Sequence, residues 1–441
     1  MKKYLIVLTM ISLWSNSKAQ IDRESDKLTL EQVWSEVDLR NKELKLSDMG
    51  RKQSVVDILV AKDNKLPSIS VLGTTGVNTN LPIYNKGLFS SHDSFAVSRY
   101  TYSLGYLLDF DLYDGGKKNR NVEIKKLESA RYKNEYDMQR INIRYAAAVI
   151  YYDLYKFVQF KQFTESEIET EKKQLETVES LFKNGIVLKS DVLRINVKIS
   201  QLELTRSEME KKITIAKQRL NILMGKESDA PISVQQHENI DVLQFSEKSS
   251  YIDFVNIAVN RAPDFKISEN EYEISNLQLK QVKSAILPKV SFYSNYSYNY
   301  PQSSFYPYSQ NLWGFGQTGI KASMSLDKLY TNKHAMESAK SKNTQHIQKM
   351  EIKKDEIMVN IREAYLQKEQ AFEAVKTAEQ NIMEITETVR IIRSSYINQE
   401  SLLTDLLDAE NLLLEAKFAL TSAQINVVLS HLRLLAKTGI I

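Results

Sequence analysis

The chain has 441 residues, with 59 Lys and Arg against 55 Asp and Glu, 13 Gly, 7 Pro and no Cys. So few helix breakers exclude a fold of many short elements and suit long helices instead. The missing cysteines exclude disulfides, thiolate zinc sites, cysteine nucleophiles and a lipid-modified cysteine at the mature N-terminus.

Residues 1–19 read as a secretory signal. Lys2-Lys3 is basic, Tyr4 to Trp14 is mainly apolar, and Ser17-Lys18-Ala19 is a small-x-small cleavage site. The apolar run is too short to span a bilayer, and no later run of about eighteen apolar residues follows. An exported protein starting at Gln20 is expected. Without Lys2, Lys3 and Lys18 the net charge falls from +4 to near zero, which gives no basis for nucleic-acid binding.

The first repeat, residues 20–225, reads helix, strand, strand, long helix, helix. Its strands are expected at about 67–82 and 98–112. In the second, Tyr100, Tyr102, Leu104, Tyr106, Leu108 and Phe110 alternate with mostly polar residues. A proline-free stretch, 117–183, predicts one helix of roughly 100 Å. From 188 to 224 apolar residues recur in steps of four and three, including Leu188, Val192, Ile195, Ile199 and Leu202, a coiled-coil seam. Residues 226–250 form a polar linker.

The second repeat, residues 251–441, has the same order. Strands are expected at about 288–301, with Tyr296, Tyr298 and Tyr300 on one face, and at 313–327, opened by Trp313 and Phe315. Helices follow at 333–397 and 402–437. Leu66-Pro67-Ser68-Ile69-Ser70-Val71 returns as Leu287-Pro288-Lys289-Val290-Ser291-Phe292, an offset of 221. Leu188-Lys189-Ser190-Asp191-Val192-Leu193 returns as Leu402-Leu403-Thr404-Asp405-Leu406-Leu407, an offset of 214. The chain is an internal duplication, and its first half carries longer loops.

A Tyr-rich apolar face opposite a polar one is the pattern of a membrane β-strand, with Tyr100, Tyr102, Tyr106, Tyr296, Tyr298, Tyr300 and Trp313 as its aromatic face. Four strands cannot close a barrel, and an open edge in lipid leaves backbone groups unpaired. Three copies would supply twelve strands. The chain is therefore expected to be mostly α with a membrane β part, and to oligomerise so that its strand edges are paired.

The ordered set of motifs resembles the outer membrane efflux protein family, the TolC-like export ducts, over essentially all of Gln20 to Ile441. The set comprises the duplicated plan, the Leu-Pro-x-apolar-Ser strand openings, Leu112-Tyr113-Asp114-Gly115-Gly116, and Tyr396 to Ala409 with its Asp-x-x-Asp-Ala. The resemblance implies a homotrimeric duct in the outer membrane of a Gram-negative-type bacterium, a trimeric twelve-stranded β-barrel continuing into a long α-helical coiled-coil barrel, with a large periplasmic part. The linker would be its equatorial region. It also implies a periplasmic adaptor and an inner-membrane pump as partners, outer-membrane lipid around the strands, and no cofactor. Such a duct would serve a tripartite efflux or type I secretion system and conduct passively.

The interhelix loops, with Asn184, Gly185 and Ile186 in one and Asn398 and Glu400 in the other, would dock the adaptor. Tyr396, Gln399 and Ser401 occupy the family's tip-contact positions. Gln399 stands where the family has glycine, and Ser401 replaces a frequent basic residue. Asp405 and Asp408 lie three apart on a helix, whereas the first repeat has Asp191 and Arg194 there. Three copies of the acidic pair would make a cation-selective constriction ring.

Five histidines, His92, His237, His334, His346 and His431, form no zinc motif. Asp114-Gly115-Gly116-Lys117-Lys118 lacks the first glycine and the Ser/Thr of a phosphate loop, and reads as a turn before a basic helix start. An enzyme is not expected. The alternative is an exported coiled-coil scaffold without a pore, its strands forming soluble hairpins.

Overall fold

The computed structural model describes residues 27–235, 242–245, 250–302 and 308–441, so the signal segment lies outside the described residues. In chain order the elements are α1 (Leu30–Arg40), α2 (Lys42–Asp63), β1 (Ser68–Val77), β2 (Leu81–Tyr84), β3 (His92–Phe95), β4 (Tyr100–Tyr113), α3 (Lys117–Lys183) and α4 (Lys189–Leu223). Then come α5 (Tyr251–Arg261), α6 (Pro263–Lys283), β5 (Lys289–Tyr300), β6 (Trp313–Ser323), α7 (Lys328–Ile397) and α8 (Leu403–Thr438). Contacts group the chain into two compact units, one drawn from 1–37 and 147–240, the other from 38–146 and 241–441.

The single helix expected before each strand pair is a pair of helices. Asn41 interrupts the first and caps α2, its side-chain oxygen accepting from the Leu44 N–H at 3.0 Å. In the second repeat Pro263 opens α6, where the missing N–H costs nothing. By contrast α3 and α7 run 67 and 70 residues without interruption, since neither contains Gly or Pro.

In the first unit, α4 buries Ile195, Leu202, Met209 and Ala216, one at every seventh position. Lys161 of α3 and Glu210 of α4 meet at 3.1 Å. A second apolar line on α4, including Leu193, Val197, Leu204 and Ile222, remains exposed.

In the second unit, α7 and α8 form the main helical pair. Ala371, Val375 and Ala378 meet Ala423 and Val427, and these small side chains let the helices approach closely. Phe254, Ala258, Phe265, Ile357, Ile361 and Leu434 tie α5 and α6 to the same pair. Among the described residues α8 is by length and composition apolar enough to cross a membrane, a segment the sequence reading did not find. Its buried stripe of Leu406, Ala409, Ala416, Ala423 and Val427 marks it instead as a packed core helix.

The sheet of this unit has the order β1-β4-β5-β6, every pair antiparallel. The two repeats meet at β4 and β5, leaving β1 and β6 as edges. A separate hairpin, β2 with β3, fills the loop between β1 and β4. No counterpart to it was expected from the sequence, where 67–82 reads as one strand.

The duplication is visible in the helix ends. The N–H of Gly185 donates to Phe182 and that of Ile186 to Leu181. The same paired bonds recur at Gln399 and Glu400, where Tyr396 and Ser395 accept. They recur again at Gly225 with Lys226 and at Gly439 with Ile440. All four are the Schellman closure, and the two pairs are each separated by the sequence offset of 214.

Candidate functional site

The four-stranded sheet turns its apolar face outward. Tyr106 opposes Tyr296, Leu104 opposes Tyr298 and Tyr102 opposes Tyr300. The Tyr102 and Tyr300 rings stack at 4.9 Å. These side chains are not a core: Tyr100 is 70% exposed and Leu104 58%. Val71 and Ile69 of β1 continue the face, as do Phe110, Phe292 and Ile320. Ser103, Asn299, Ser297, Asn295 and Gln317 lie on the opposite, polar face. A soluble sheet that packed on its own chain would show the reverse burial.

Trp313 departs from the expected aromatic face. It opposes Asn299, and Phe315 opposes Ser297, so both sit on the polar face. Glycine explains the exchange. Gly314 and Gly316 occupy the Tyr face of β6, and a Cβ at Gly316 would lie 2.5 Å from the Tyr296 ring. The rings of Tyr296 and Tyr298 therefore cover β6, which needs no aromatic residue of its own there.

Strands pass into helices differently in the two repeats. After β4, Gly115 and Gly116 take φ of 69° and 78°, which only glycine adopts readily, and Asp114 accepts from the Lys118 N–H at 2.7 Å. After β6 no left-handed residue intervenes. Leu329 and Tyr330 donate back to Leu326 and Asp327, so α7 starts at Lys328 rather than at 333. Tyr330, Thr331 and Asn332 are thus already helical, and buried Asn332 ties α7 to the Val282 carbonyl at 2.9 Å.

The interhelix loops carry most of the remaining predicted residues. Gly185 has φ of 72°, and Gln399, its counterpart, adopts the same left-handed conformation at 65°. Asn184 binds the Ser180 carbonyl, while Gly185 has open space where a side chain would stand. Ile186, Asn398 and Glu400 are exposed. Ser401 Oγ donates to the Ile392 carbonyl at 3.3 Å, which folds the second loop onto the end of α7. Tyr396 is the least exposed of the tip-contact residues together with Ser401.

Asp405 and Asp408 are both exposed. The Asp405 carboxylate accepts from the Leu402 N–H at 3.2 Å, and Asp191 accepts from Leu188 at 3.3 Å. This pair of bonds caps α8 and α4 alike. Asp408 has no such bond and no acidic equivalent in the first repeat, where Arg194 stands. Sequence reasoning missed a neighbouring ion pair: Arg393 of α7 meets Glu410 of α8 at 2.6 Å, and Glu410 is 2% exposed.

Residues 254–439 match the family model described as outer membrane efflux protein. Nodulation protein T of Rhizobium leguminosarum bv. trifolii is 21% identical over 377 residues, covering 84% of this chain and 76% of that protein. Among solved structures, CusC superposes with a TM-score of 0.79 at 15% identity, covering 94% of this chain and 92% of that one. VceC of Vibrio cholerae gives 0.77 at 16% identity, covering 93% and 96%. The open-state MtrE outer membrane channel of Neisseria gonorrhoeae gives 0.74 at 15%, covering 93% and 88%. The resemblance to the outer membrane efflux family read from the sequence is borne out over residues 254–439, and the fold is that of the solved outer-membrane channels.

Proposed function

We propose that this chain, sharing the outer membrane efflux family's match and fold, is a passive exit duct that closes as a homotrimer in the outer membrane. The observation that carries the reading is the sheet: an apolar face turned outward and two strand edges left without partners. In lipid those edges must be paired, and two further copies supply the pairing. The helices of 67 and 70 residues that leave the sheet are long enough to line a channel through the periplasm.

In this reading an inner-membrane pump and a periplasmic adaptor deliver the cargo, and the loops around Gly185 and Gln399 receive the adaptor. Asp405 and Asp408 form the cation-selective constriction. Of the two, Asp405 also caps its helix, so Asp408 is the residue whose only role is in the pore. Fractionation tests the duct against the scaffold alternative. The duct sediments with outer membranes and needs detergent for release, whereas a soluble scaffold is released without it. In planar bilayers Asp408→Asn should reduce cation preference, and unchanged selectivity would count against the ring.

A further inference from the structure

The basic turn that fails as a phosphate loop borders a pocket that the conduction reading leaves unused. A cavity of about 380 Å³ lies where β4 and β5 meet the helices, and Lys117, Lys118, Lys289, Asn64, Asn121 and Gln281 line it. Two carboxylates share the pocket wall. Asp111 accepts from Lys118 at 2.9 Å, from Lys289 at 2.7 Å and from Ser291 Oγ at 3.1 Å. Asp114 is engaged by the Lys118 backbone N–H.

From this arrangement we propose that the pocket binds an anionic group, a phosphate, sulfate or carboxylate carried by a transported solute. Three ammonium groups face Asp111 and Asp114 in the pocket wall, and Asp109 of the same strand face acts on Lys289 from outside it, so Lys117 is the ammonium left for a ligand. Asp111 fixes two of the ammoniums, and each retains further N–H donors for a ligand. Among the described residues Lys117 makes no ion pair, and it is exposed at the pocket rim. The side-chain amides of Asn64, Asn121 and Gln281 add donors suited to the same oxygens. Since the Lys118 N–H is already capped, recognition falls to side chains and not to the backbone, unlike a phosphate loop.

The location gives the ligand its source. Asp111, Ser291 and Lys289 belong to the polar face of the sheet, opposite the tyrosines. If the tyrosine face meets lipid, the pocket opens to the lumen, so the inference rests on the duct reading. Each copy then presents one such station at the passage from helical tunnel to barrel, past which an anionic cargo must move. A volume of this size holds the charged end of a solute and not a whole large one.

The test uses the full-length protein in detergent, with inorganic phosphate as the probe and its ³¹P resonance as the readout. Saturable binding is expected. Lys117→Gln and Lys289→Gln should each weaken it by about tenfold, the loss expected for one charge-assisted hydrogen bond. Lys117→Arg should restore it, and Lys333→Gln, at an exposed helical lysine, should leave it unchanged. Because Lys117 is exposed, its variant separates loss of binding from loss of folding. Binding that does not saturate, or that is equal in all variants, overturns the proposal. The steady current of the unmodified protein in planar bilayers tests the duct separately. Phosphate binding without current would defeat the lumenal source of the ligand, and current without binding would defeat the pocket alone.

Discussion

Gln399 holds a backbone conformation that costs an L-residue roughly 1 kcal/mol and glycine almost nothing. Its counterpart Gly185 avoids that cost at the same point of the same closure. Replacing Gln399 by Gly should therefore stabilise the second loop by about 0.5–1 kcal/mol. Hydrogen exchange at the Gln399 and Glu400 amides should slow, and faster exchange would contradict the strain. Nearby, Arg393 screens a buried Glu410 carboxylate. With Arg393→Ala that charge loses its partner, and the α7–α8 pair should weaken by about 1–3 kcal/mol, discounted because Arg393 is itself half exposed. An unchanged unfolding midpoint would show that water replaces the arginine. The sequence marked Gln399 as a departure from the family but gave no sign of Arg393, since its partner is seventeen residues away across a turn. Pairings of that kind depend on how two helices cross, which periodicity does not encode.

At the scale of elements, the aromatic stretch of α3 gives a pH dependence. Burial pushes the Tyr151 and Tyr155 hydroxyls up and raises that of Tyr152 to about 12. Tyr151 also donates to the Leu28 carbonyl at 3.0 Å. Above pH 10 the unfolded phenols lose their protons while the folded ones keep them. The unfolded state then binds fewer protons, so stability falls as pH rises from 10 towards 12 and is fully present below 10. Tyr152→Phe should flatten that fall in circular dichroism, and an identical alkaline profile would remove Tyr152 from the account. Long helices and alternating strands were legible because each has one period over many residues. The face of Trp313 was not, because Gly314 and Gly316 receive their cover from β5, a partner that the strand's own alternation does not name. Hairpin β2–β3 escaped for a similar reason: each of its strands is only four residues long.

For the whole molecule, the uncovered apolar surfaces argue most strongly. Leu193, Val197, Leu204 and Ile222 on α4, and the outward face of the sheet, are too extensive for a protein that meets only water. Lipid covers the sheet in the proposed assembly, and neighbouring copies cover the helices. Native mass spectrometry from detergent should accordingly find three chains, and a folded monomer would leave β1 and β6 without partners in the bilayer. The duplication made the channel-like fold legible from the sequence, whereas the lysine pocket required the register of β4 against β5. The most direct measurement of the central claim is the current through a planar bilayer containing the purified protein. The account predicts discrete, stable current steps that scale with salt concentration, each from one assembled pore. A correctly folded protein that enters the bilayer and passes no current would contradict it.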